Sequence, residues 1–112
     1  MNKNILSIET TTKICSVSLF SNNNLISLRE DDNRKHSTLL GKFIHEIFNT
    51  ENMKLIDLDA IAISIGPGSY TGLRIGLSMA KGLAYTLNKP IIPIDTIESI
   101  NNEVKDKNYF IV

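Results

Sequence analysis

The residues best suited to chemistry lie in two short stretches. Residues 66–76, GPGSYTGLRIG, set four glycines, three hydroxyls and an arginine between an apolar run and a helical pattern. Glu9, at the end of another apolar run, is followed by Thr10-Thr11-Thr12-Lys13. A Gly-rich turn that opens a helix offers unpaired amides and the positive end of a dipole to an anion. A carboxylate beside hydroxyls could face the phosphates and Mg²⁺ of a nucleotide, although threonines are also common hairpin formers. Glu9, Thr11, Gly68 and Ser69 are therefore the weak candidates for a nucleotide contact.

Known loop chemistries fit the longer stretch poorly. A Walker A loop needs a glycine, four residues and then Gly-Lys-Ser/Thr, and neither Gly66 nor Gly68 begins that spacing. The dinucleotide fingerprint needs a glycine where Thr71 stands, and Gly72 arrives one place late. A nucleophile elbow needs a glycine where Pro67 precedes Ser69, and no general base is evident nearby. What remains is a strand, a sharp turn and a self-capping helix start, with anion binding as a secondary use. His36 and His45 have no third ligand at recognisable spacing, so no metal site is expected, and both read as solvated. Cys15 alternates with Val17 and Leu19 on one face of a strand pattern and reads as a small buried hydrophobe.

Bulk properties bound the function. The 112 residues make one ordinary domain or part of a larger protein. Twelve basic and twelve acidic residues cancel, so no general positive field draws in nucleic acid. The lone cysteine excludes an internal disulfide, the N-terminus lacks a secretory pattern, and the longest nearly apolar run, Leu58 to Ile65, is far short of a bilayer span. A reducing, cytoplasmic setting is the expectation.

These residues must be held by a definite order of elements. Ile5–Glu9, Ile14–Phe20 and Leu25–Glu30 read as an antiparallel meander, broken at residues 10–13 and at Asn22-Asn23-Asn24. Arg29 to His36 reads as a solvated connection, and Ser37 as the cap of a helix to about Thr50, with Leu39, Leu40, Phe43, Ile44, Ile47 and Phe48 on one side. Ala60–Ile65 suits a strand buried on both faces, which helices should cover. A second helix spans about Tyr70 to Leu87, a strand Pro90–Ile94 and a short helix about Thr96 to Val104. Tyr109–Val112 reads as a strand at the terminus, so the chain reads as stopping mid-architecture.

The second helix is the more informative feature. Gly72, Gly76, Ala80 and Ala84 recur every fourth residue, a stripe along which another backbone can approach. An interior glycine costs about 1 kcal/mol against alanine, so Gly76 and Gly82 require a packing return. Ile75, Met79 and Leu83 flank the stripe on one side, and Leu73, Leu77 and Leu87 on the other. A helix lying on one sheet needs an apolar stripe of only about 100°. Either the first helix shelters all of the excess, or a partner chain does.

The order of three meander strands, helix, strand, Gly-rich turn, helix and strand resembles a ribonuclease-H-like lobe of the actin-like ATPase (ASKHA) superfamily, an α/β fold with a mixed sheet. SIETTTKICSVSLF, RKHSTLLGKFIHEIF and DLDAIAISIGPGSYTGLRIGLSMAKGLAYTLNKPIIPIDTIESI resemble the TsaB (YeaZ) family, over nearly the whole chain. That resemblance implies an N-terminal lobe, residues 1–112, whose C-terminal lobe is absent or truncated. It implies a role in making N6-threonylcarbamoyladenosine at position 37 of tRNA, as scaffold and activator of the enzyme TsaD. TsaD enzymes carry a His-x-x-x-His metal pair just after the strand matching Ile91–Ile94, and Thr96 and Ile100 stand there, which implies a catalytically silent paralogue. It further implies docking on a TsaD-like protein or a second copy through the two helices, with Ile75, Met79, Leu83, Ile44 and Phe48 as contacts. A TsaE-like ATPase would join the larger complex, tRNA would be met only through it, and ATP or ADP would bind only within the complex with TsaD. The alternatives are an actin-like nucleotide hydrolase and a glycoprotease-like (M22) peptidase.

Overall fold

A computed structural model describes residues 3–32 and 36–95. The strands β1 (Asn4–Glu9), β2 (Cys15–Ser21) and β3 (Asn24–Asp31) precede the helix α1 (His36–Thr50). After it come β4 (Ala60–Ser64), the helix α2 (Tyr70–Leu87) and β5 (Ile91–Ile94). The strands form one sheet in the order β3-β2-β1-β4-β5. The meander pairs antiparallel, whereas β4 lies parallel to both β1 and β5. Parallel neighbours require crossovers, which α1 and α2 supply.

Local sequence explains the turns. Asn22 and Asn23 hold φ values of 55° and 69°, the left-handed pair that a two-residue hairpin matched to strand twist requires and asparagine tolerates. Asn88 ends α2 in the same region, φ 56°, its N–H bonding back to Ala84 and Tyr85.

One face of the sheet holds the core. Cross-strand register places Leu6, Ile8, Val17, Leu19, Ile61 and Ile63 together, all fully buried. Both helices lie on that face, α1 contributing Leu40, Phe43, Ile44, Ile47 and Phe48, and α2 contributing Ala80 and Ala84. β4 is buried along its whole length, in keeping with its Ala-Ile alternation. The expectation of helices over both of its faces meets only this one layer among the described residues.

The connections differ from expectation at two points. β3 continues to Asp31, shortening the solvated connection, because its ladder with β2 runs on to the Cys15–Asp31 pair; Arg29 on this stretch lies with its Nε 3.5 Å from Glu46 of α1. α1 already includes His36, so Ser37 lies within the helix rather than capping it. A short 3₁₀ turn at Leu55–Asp57 has no periodic signal to announce it. The expected helix near Thr96–Val104 and the strand at Tyr109–Val112 lie outside the described residues.

Candidate functional site

The four candidate nucleotide contacts do come together, where the β1–β2 turn meets the start of α2. Ser69 donates its backbone N–H to the Thr11 carbonyl at 2.6 Å, and its hydroxyl caps the helix by accepting from the Gly72 N–H at 3.1 Å. A Cβ on Gly68 would overlap the Thr11 carbonyl oxygen, so only glycine fits there. Glu9 accepts from both the N–H and the hydroxyl of Thr11. Thr10, fully buried, donates its hydroxyl to the Gly72 carbonyl at 2.6 Å. The cluster is a weld between two loops, and much of its hydrogen-bonding capacity is spent internally.

The small stripe of α2 belongs to the same weld. A Cβ on Gly72 would overlap the Thr10 carbonyl oxygen, and one on Gly76 would overlap the Thr10 hydroxyl and lie 3.0 Å from Ile63. The backbone that approaches is thus the chain's own. Gly82 departs from the expectation that it needs a packing return, because it is exposed and a Cβ there would meet nothing within 4 Å.

With the small stripe turned inward, the larger apolar residues of α2 sit on its shoulders. Leu73, Ile75, Leu77, Met79, Leu83 and Leu87 are all only half-buried, so α1 does not shelter the whole arc. Leu40, Leu55, Ile75, Met79, Leu83 and Leu87 line an open groove of about 730 Å³ between the helices, with Arg74 and Ser78 among its polar edges. Ile44 and Phe48 correct the expectation that they are contacts. They are 7% and 8% exposed and belong to the chain's own core, because α1 turns that side toward β2 and β3.

The TsaD family model, tRNA N6-adenosine threonylcarbamoyltransferase, matches residues 28–109. The chain belongs to this family. It is 37% identical over 87% of its length to the tRNA threonylcarbamoyladenosine biosynthesis protein TsaB of Buchnera aphidicola subsp. Baizongia pistaciae, covering 44% of that protein. Against TsaB of Escherichia coli K12 it is 35% identical over 93% of its length and 45% of the relative's. The solved structure of YeaZ from Pseudomonas aeruginosa matches with a TM-score of 0.85 at 25% identity, over 94% of this chain and 49% of that one. The fold is therefore the ribonuclease-H-like, actin-like lobe. The chain spans about half the length of the curated TsaB relatives it matches.

Membership of this family leaves the remaining candidates to their geometry. Thr96 and Ile100, on which the loss of the metal pair rests, lie outside the described residues. Among the described residues, no three His, Cys, Asp or Glu side chains converge as a metal site, and no helix is long and apolar enough to cross a membrane. Burial, then the charges of Asp31 and Glu9, push the Cys15 thiol up to about 11, so it stays protonated and inert near neutrality.

His36 is the residue that sequence reasoning misses. Its place in a charged stretch reads as solvated, yet it is 8% exposed, with Nε2 2.9 Å from the Thr12 carbonyl oxygen. A carbonyl can only accept, so Nε2 carries a proton. Nδ1 is buried with no hydrogen-bond partner among the described residues. No pattern in the sequence announces it: α1 already includes His36, two residues before the helix that a Ser37 cap would begin, and this turns the side chain toward the hairpin.

Proposed function

We propose that this chain is a TsaB-like, non-catalytic subunit of the machinery that makes N6-threonylcarbamoyladenosine at position 37 of tRNA. It docks on a TsaD-like protein through the α1/α2 groove. The observation that carries this reading is the groove itself, where Ile75, Met79 and Leu83 remain half-buried beside Leu40 and Leu55. Single exposed apolar residues are ordinary, whereas a contiguous apolar groove with polar edges marks an interaction site. The relatives' role in threonylcarbamoyladenosine biosynthesis supplies the pathway, and the match to the TsaD family supports a partner of related fold.

The proposed assembly is wider. Alone, the chain pairs with a second copy through this groove; a TsaE-like ATPase joins the larger complex, and tRNA is met only through it, in the cytoplasm. ATP or ADP binds only where TsaD supplies the rest of the site. Glu9 favours this over nucleotide hydrolysis by the chain alone, since its carboxylate already serves Thr11.

Co-purification tests the proposal. A tagged chain should retain the TsaD-like protein of the same organism, and Met79→Glu should abolish retention while far-ultraviolet circular dichroism stays unchanged. Full retention by the folded variant would refute docking at this groove.

A further inference from the structure

The apolar groove between α1 and α2 has a charged edge of one sign. Arg74 lines it and is exposed. Lys81, also exposed, lies seven residues further along α2, about 10 Å away and within about 20° of Arg74 on the same flank of the helix. Neither side chain makes an ion pair or hydrogen bond among the described residues. Arg74 is held with its guanidinium carbon 5.8 Å from the centre of the Tyr70 ring, a contact that orients the group and leaves its N–H donors unspent.

No acidic residue occurs in α2, and none is among the described residues lining the groove. The chain as a whole is neutral, so this positive edge is a local feature. Tyr85 stands on the same flank, 91% exposed. Arginine and tyrosine are enriched in protein interfaces, and an apolar groove beside them suits the side chains of a docking helix better than a sugar-phosphate backbone.

We propose that the protein docking in this groove presents carboxylates to Arg74 and Lys81, spaced about two helical turns apart on its own contact surface. The inference rests on the docking reading above and names the chemistry of the partner's edge. Arg74 can grip a carboxylate through two parallel N–H donors, whereas Lys81 acts as a point charge. At the rim of an interface such pairs speed encounter and select the partner more than they tighten the complex. A second copy offers the same two cations and no acid in its α2, so two-fold pairing through α2 gathers like charges, whose repulsion salt relieves.

The test follows association of the full chain with the TsaD-like protein of its organism at low and at high salt. Arg74→Glu and Lys81→Glu together should slow association about tenfold at low salt, and the loss should shrink at high salt. Both residues are exposed, so circular dichroism should be unchanged. Lys81→Glu alone gives a second copy a carboxylate to meet Arg74; self-association by light scattering should rise while binding to the TsaD-like protein falls. Met79→Glu separates the two readings. If that variant abolishes the complex but the double reversal changes neither its rate nor its salt dependence, docking stands and the acidic edge is overturned. If the native chain does not bind the TsaD-like protein, both fall. Unchanged protein binding with weakened retention of tRNA by the complex would assign this edge to RNA and overturn the proposal.

Discussion

Thr10 shows how one side chain fixes several others. Its hydroxyl is donated to the Gly72 carbonyl, and both Gly72 and Gly76 press against it. Alanine at either position gains about 1 kcal/mol of helix propensity, but its Cβ would overlap atoms that the hydrogen bond holds in place. Gly76→Ala should therefore lower stability by about 1–3 kcal/mol. Gly82→Ala, with open space around it, should raise stability by about 1 kcal/mol. Urea denaturation of the two variants checks both signs, and equal effects would remove the distinction drawn between these glycines. The spacing of small residues is legible in the sequence because helical periodicity is geometric. Its direction is not, since a helix apolar over more than half its circumference gives no polar face to orient it.

At the scale of elements, the meander and α2 are readable because alternation and 3.6-residue periodicity are strong there. The observed α2 runs from Tyr70 to Leu87, as the pattern indicates. The start of α1 is less readable, since Ser37 offers a good cap and the competing His36 contact with Thr12 is long-range. The division of α1 and α2 between core and surface is equally hidden, because Phe48 and Met79 look alike as apolar letters. Their environments differ, Phe48 being 8% exposed in the core and Met79 only half-buried in the groove. Phe48→Ala should cost about 3–5 kcal/mol, as core truncations of this size do, whereas Met79→Ala should cost markedly less. Thermal unfolding of the two variants compares them directly. A Met79 loss as large as that of Phe48 would mean that the groove is core rather than surface.

For the whole molecule, the sheet order β3-β2-β1-β4-β5 places the β1–β2 turn and the start of α2 side by side. It also leaves one apolar seam open between two helices on the same face. In the proposed docking, a second protein of related shape completes the burial along this seam. Burying half-exposed apolar side chains there returns roughly 25 cal/mol per Å² before the costs of association. The most direct measurement is the mass in solution by light scattering, for the chain alone, for the chain mixed with the TsaD-like protein of its organism, and for both with Met79→Glu. A stoichiometric complex that forms with the native chain and is lost with the folded variant is the expected result. A mixture in which the native chain and the TsaD-like protein stay separate, or a complex indifferent to Met79→Glu, would contradict it.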